Sequence, residues 1–153
     1  MVMVDLSGLE RRNDGVSDVL TMTMSPELFH QNLKREIASA QRDGRDLSVL
    51  AINLKPEAFT ELADFSQALV ALAFVLRTEL RGGDFFARIS DGGFWAVLRT
   101  GEDHDREVAA VIQRLALAER SDLNYYIVAR KKDSYDQWIN RLDLIHFSAG
   151  TIA

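Results

Sequence analysis

Residues 77–98, RTELRGGDFFARISDGGFWAVL, decide the fold. The apolar runs Asp84 to Ile89 and Phe94 to Leu98 flank Ser90-Asp91-Gly92-Gly93, and glycines between two such runs permit the positive φ angles of tight hairpins. The stretch reads as an antiparallel hairpin. Phe85, Phe86, Phe94 and Trp95 alternate along its strands, so half are expected to pack inward, and an exposed pair would offer a docking patch.

Upstream, Leu69, Leu72, Ala73, Leu76 and Leu80 recur at three- and four-residue spacing from Asp64 or Ser66 and predict a helix ended by Gly82-Gly83. Before it, LSVLAINL, Leu47 to Leu54, lies between a charged turn and Pro56 and suits a buried strand. Earlier still, Ser25-Pro26-Glu27 supplies an N-cap, a first helical residue and an acidic first turn for a helix running to Gly44. Downstream the pattern predicts a helix over about Asp105 to Arg120, a strand at Leu123 to Ala129 and a helix around Ser134 to Phe147. Residues 1–18 are expected to form a loose polar leader, 19–147 the folded domain and 148–153 a mobile tail. Helix, strand, helix, hairpin, helix, strand, helix makes an α+β domain, a mostly antiparallel sheet with helices packed on it.

Bulk properties narrow the function. The 153 residues fit one domain, and a formal charge of -5 disfavours a broad nucleic-acid surface. Its cations are 14 Arg and four Lys, which suits local phosphate recognition and equally suits a codon-biased genome. The absence of cysteine excludes disulfides, thiolate metal sites and cysteine nucleophiles. Charged residues from Asp5 to Asp14 break the first 20 residues, so no membrane insertion and a cytoplasmic location are expected.

The element order and several residues resemble GGDEF domains, the diguanylate cyclase family related in fold to nucleotide cyclases. That family opens with D-x-L-T-G-L-x-N-R-x-x-F; in DVLTMTMSPELF, Asp18, Leu20, Thr21 and Phe29 hold their places, whereas Met22, Thr23, Ser25 and Pro26 replace the G, L, N and R. Around the hairpin, Arg81, Asp84, Arg88 and Phe94 match R-x-x-D, five residues, then G-G-D/E-E-F. Near the end, WINRLDLIHF is similar to L-x-x-R-A-D-x-A-L-Y, with Asp143 and Phe147 in register.

The resemblance implies a degenerate catalytic site. Family members join two GTP molecules with divalent cations held by carboxylates of the first strand and the hairpin. Here those positions fall on Asn53, Lys55, Gly92 and Gly93; shifting the hairpin register gives Phe94 and Trp95 instead. An amide, an ammonium and glycines are poor ligands for a hard cation. The segment from Asn53 to Arg81 is also about four residues short of the family pattern, and its guanine-binding residues have no clear counterpart in KPEAFTELADFSQ, where Asp64 reads as a helix N-cap or solvated acid. No cofactor and no metal site are expected, and diguanylate cyclase activity is expected to be lost, with residual GTP chemistry at an acid such as Asp91 as a third alternative.

The resemblance also implies what could persist. In the family, R-x-x-D before the hairpin is the inhibitory site, or I-site, for cyclic di-GMP. Arg81 and Asp84 have its offset, and Arg114 in VAAVIQRLA aligns with a further family arginine if the RTGEDHD loop carries about two extra residues. A guanidinium fork grips phosphate or a guanine edge, and a carboxylate accepts from guanine N1 and N2. Because R-x-x-D also occurs at Arg11, Arg88 and Arg130, a surface ion pair explains Arg81 and Asp84 equally well, and Arg114 reads as a solvated helix charge. His30, His104 and His146 read as surface or helix-end residues, Asp103 to Asp105 as a helix N-cap, and Arg130-Lys131-Lys132 as a solvated turn. The leading expectation is an inactive cyclic di-GMP receptor; the alternative is a nucleotide-independent interaction or scaffold module, homodimeric or bound to a protein partner, in a signalling or exopolysaccharide pathway.

Overall fold

The computed structural model describes residues 3–100 and 103–151, with side chains as far as residue 145. At its centre β1, Asp46–Leu54, hydrogen-bonds to a neighbour on each side. The hairpin strands are β2 (Phe85–Ser90) and β3 (Gly93–Thr100), β4 is Leu123–Ala129, and the order is β2-β3-β1-β4 with every pair antiparallel. Helices α1 (Pro26–Asp43) and α4 (Tyr135–Thr151) cover one face, and α2 (Leu62–Glu79) and α3 (His104–Arg114) the other. The α+β reading is confirmed. No helix among the described residues is long and apolar enough to cross a membrane.

The apolar run of β1 follows from coverage of both faces. Leu47, Val49 and Ala51 join Phe29, Leu33 and Trp138 in one core; Leu50, Ile52 and Leu54 join Phe65, Leu69 and Leu72 in the other. Each large side chain so buried contributes roughly 1.5–3 kcal/mol. Helix α1 is bounded as its letters predict: Ser25 Oγ accepts from the Leu28 N–H, Pro26 opens the helix, and Gly44 closes it at φ 68°. A Cβ on Gly44 would meet nothing within 4 Å, so the left-handed backbone alone calls for glycine.

Several boundaries differ from expectation. Helix α2 starts at Leu62 and ends on extended Leu80 rather than on the glycine pair. Helix α3 stops at Arg114 because Ala116 turns left-handed at φ 53°, which sends Leu115 and Leu117 into the core without a glycine or proline to announce it. The hairpin turns at Asp91-Gly92, but neither Gly92 nor Gly93 has positive φ. Gly92 is required by close approach, since a Cβ there would lie 2.8 Å from Phe65 Cζ. Nor is an aromatic pair exposed: Phe94 and Trp95 are buried, with Phe86 packed beside Phe94 and Phe85 beside Trp95's core. Helix α4 runs on to Thr151, so residues 148–151 of the expected tail continue it; 152–153 lie outside the described residues.

The leader is not loose. Val4 and Leu9 are buried against α2 and α3, and Val4 N–H donates to the Pro56 carbonyl at 3.3 Å. Arg88 explains the need for it. This β2 guanidinium is only 4% exposed, and Nη1 donates to Asp18 Oδ1 at 3.2 Å and to the Glu10 carbonyl at 2.7 Å. A buried cation must find acceptors, and residues 10–18 supply them. Further along, Met24 bridges in parallel to Ala87 on the outer side of β2.

Candidate functional site

Two places in the fold carry the residues singled out by sequence. At the hairpin end, Asn53 stands opposite Gly93 of β3 and Asn124 of β4, while Leu54 N–H donates to the Gly92 carbonyl at 2.9 Å. Lys55 follows, its N–H bonded to the Asp122 carbonyl at 2.8 Å. The fold thus brings positions 53, 55, 92 and 93 together, and none carries a carboxylate. Asp91 is gripped by Arg11 through two bonds of 2.6 and 2.9 Å, which hold its carboxyl below the usual range; Asp122 is gripped likewise by Arg120 at 2.9 and 2.8 Å. Among the described residues no group of three or more His, Cys, Asp or Glu could hold a metal ion. The cavity between the leader and the hairpin, lined by Arg11, Asp18, Arg88 and Asp91, has a volume of about 130 Å³. Pockets for nucleotide-sized ligands begin near ~300 Å³.

At the opposite end of β2, Arg81 and Asp84 close a turn on each other. Asp84 N–H donates to the Arg81 carbonyl at 3.0 Å, and Arg81 N–H donates back to Asp84 Oδ2 at 3.3 Å. Arg99 N–H fixes Oδ1 at 3.1 Å. Burial pushes the Asp84 carboxyl above its ordinary value, against the pull of these two N–H groups. The Arg81 side chain is exposed and makes no ion pair among the described residues. By contrast Arg88 and Arg130 turn their guanidinium groups back onto the carbonyls of Asp91 and Asp133, three residues on. Arg81 and Asp84 border a cavity of about 410 Å³, whose wall includes Met22, Met24, Arg77 and Phe86.

Arg114 is not brought to them. Helix α3 begins beside Ser48, near the Arg81 end of the sheet, and Arg114 lies ten residues on, roughly 15 Å along the axis. Its Nη2 is buried without a hydrogen-bond partner. The other minor readings divide. Asp103 caps α3 by accepting from Arg106 N–H, and exposed Asp64 sits in the first turn of α2. His30 is not a surface group: burial pushes its imidazole down, and Nδ1 meets Tyr135 Oη at 2.8 Å. His104 bonds Ser48 Oγ and Asp105, yet Ser48 is fully buried and presents no nucleophile to substrate. The His146 side chain lies outside the described residues. Arg130, expected in a solvated turn, is only 4% exposed.

Sequence reasoning missed the ion-pair network of Glu36. Burial pushes this α1 carboxyl up, but hydrogen bonds from Arg99 at 2.8 Å and Arg45 at 3.2 Å prevail and hold it below its ordinary value. Its position among Leu33, Ile37 and Ala40 on the core-facing stripe was the available signal.

Comparison of the sequence with models of known families and with characterised proteins finds no match. The fold does match. The GGDEF domain of DgcB from Caulobacter crescentus, solved with c-di-GMP, superposes with a TM-score of 0.73 at 16% identity over 92% of each chain. The GGDEF domain of TpbB (YfiN) from Pseudomonas aeruginosa gives 0.72 at 20% identity over 90% of each. Diguanylate cyclase SiaD from the same organism, solved with its activator SiaC, gives 0.69 at 18% identity over 90% of this chain and 58% of that one. The chain has the GGDEF-domain fold.

Proposed function

We propose that this chain is a GGDEF-like domain without diguanylate cyclase activity that serves as a receptor for cyclic di-GMP at Arg81 and Asp84. The observation that carries the reading is the contrast between the two ends of the sheet. At the hairpin end the four positions where the family resemblance implies metal-binding acids hold an amide, an ammonium and two glycines. Asp84 instead presents an oriented carboxylate beside an exposed guanidinium, on a cavity of about 410 Å³. Arg81 would grip a phosphate or a guanine edge, and Asp84 would accept from guanine N1 and N2, each such bond contributing on the order of 1.5–3 kcal/mol. The complex of the DgcB domain with c-di-GMP supports the ligand class. Arg114 is left out of the site.

Titration calorimetry tests the reading. Saturable binding that Arg81→Ala weakens at least tenfold is expected; no heat with the wild type above the micromolar range would remove the proposal. In parallel, incubation with GTP and Mg²⁺ is expected to yield no cyclic dinucleotide.

One feature favours a second reading, an interaction module that needs no nucleotide. Phe74, 64% exposed on the outer side of α2, joins Leu20, Val70 and Val75 around an apolar depression. On that reading the protein forms a homodimer through Phe74, and Phe74→Glu shifts its sedimentation to the monomer while Arg81→Ala does not.

A further inference from the structure

Arg130 sits in the first turn after β4, and its charge is not balanced. It is only 4% exposed, Nη1 is spent on the Asp133 carbonyl at 2.8 Å, and Nε is buried with no hydrogen-bond partner. No carboxylate among the described residues pairs with it; that of Asp133 is engaged by Arg141 at 2.6 Å. Thr100, at the end of β3, is 5% exposed, and its Oγ1 is likewise buried without a partner. The two flank the start of β1, where Asp46 stands opposite Thr100 and Arg130 N–H donates to the Leu47 carbonyl. Both line one cavity of about 890 Å³, between the turn that follows α1 and the turn that precedes α4.

The charge around that cavity is positive in a chain that is negative as a whole. Arg45, Arg130, Lys131 and Lys132 line it against Asp43 and Asp46. Asp43 is taken by Arg45 at 3.2 Å, and Asp46 Oδ1 accepts from Leu47 N–H. Arg45 is itself bound to Glu36. Among the described residues Arg130, Lys131 and Lys132 have no ion-pair partner, and of the lining carboxylates only Asp46 stands unpaired against them, which leaves the cavity with an excess of positive charge.

We propose that this cavity is a binding site for a small phosphate-bearing molecule, held by Arg130 Nε, Thr100 Oγ1 and the ammonium groups of Lys131 and Lys132. A buried guanidinium without a counter-ion and a buried hydroxyl without a partner are both unfavourable, and one tetrahedral anion relieves both. A phosphate monoester brings three peripheral oxygens and close to two negative charges to a guanidinium, a hydroxyl and two ammonium groups, where a carboxylate brings two oxygens and one charge. The cavity exceeds a bare phosphate, so the group arrives on a larger molecule. This site is separate from Arg81 and Asp84 and does not depend on the receptor reading.

The experiment is a titration of the full chain with pyrophosphate and with inorganic phosphate in a chloride buffer, followed by heteronuclear NMR at the Arg130 Nε–H. The expected result is a saturable shift of that resonance, with pyrophosphate the tighter probe. Lys131→Gln with Lys132→Gln, both exposed and free of core contacts, should weaken binding at least tenfold; Arg81→Ala should leave it unchanged. Thr100→Val and Arg130→Gln, checked for folding by circular dichroism, should each weaken it further. A silent Nε–H resonance, or an affinity unchanged in the double lysine variant, overturns the proposal.

Discussion

Replacing Asp18 with alanine should destabilise the protein severely, although the sequence places that residue at the rim of a polar leader. Asp18 and Arg88 are each 4% exposed. Besides the Arg88 contact at 3.2 Å, Asp18 Oδ2 accepts from Thr21 N–H at 2.9 Å and Thr21 Oγ1 at 2.7 Å. Alanine would leave the buried guanidinium without its counter-ion, held only by the carbonyls of Glu10 and Asp91, and would remove the acceptor of the Thr21 N–H. Breaking one side of a buried pair costs about 3–5 kcal/mol. For a domain of this size that corresponds to a melting temperature lower by roughly 6–20 °C. Urea denaturation of the wild type, Asp18→Ala and the double variant Asp18→Leu with Arg88→Met measures it; the double variant should recover most of the loss, because it removes the stranded charge. A single-variant cost under ~1 kcal/mol, the value of an exposed pair, would refute the reasoning and restore the loose leader.

Other consequences can be checked alongside. Gly92→Ala would drive a methyl to 2.8 Å from Phe65 Cζ, and overpacking of that kind costs about 1–3 kcal/mol in urea midpoints, with Phe65→Leu restoring part of it. Glu36 is held below its ordinary value in the folded protein, so its stabilising effect is present above the usual glutamate range and lost as pH falls through the lowered value; Glu36→Gln should flatten the stability profile in that acidic window. Asp84 has the opposite sign. Its folded value is raised, so ionising it opposes folding as pH climbs through the carboxylate range; the proposed binding of cyclic di-GMP, in which ionised Asp84 is the acceptor, should weaken on acidification across the same window, and Asp84→Asn should abolish that dependence.

How far the letters anticipated the molecule depends on where the partners of each residue lie. The bounds of α1 and β4 are local matters of caps, glycine and apolar runs, and they were legible nearly to the residue. The juxtaposition of Asn53 with Gly93 followed from the family resemblance, and the antiparallel pairing of β1 with β3 bears it out. Burial of charge was not legible. Arg130 read as part of a solvated turn and Arg88 only as a match to the family pattern, since nothing nearby in sequence says that acceptors 70 or 78 positions away, or a cavity, will enclose them. Glycine 92 was assigned to a turn for its φ freedom, whereas the constraint comes from a phenylalanine 27 residues earlier. The end of α3 was misplaced because the left-handed turn falls on Ala116, a strong helix former, and its benefit, the burial of Leu115 and Leu117, is a tertiary matter.

The Met24 bridge to Ala87 bears on how copies of this protein could join. With the middle of β2's rim already occupied, β4 is the margin at which a foreign strand can add. Two molecules meeting there would each consume the other's open rim, so strand addition would end with a closed pair and could not propagate into a fibre.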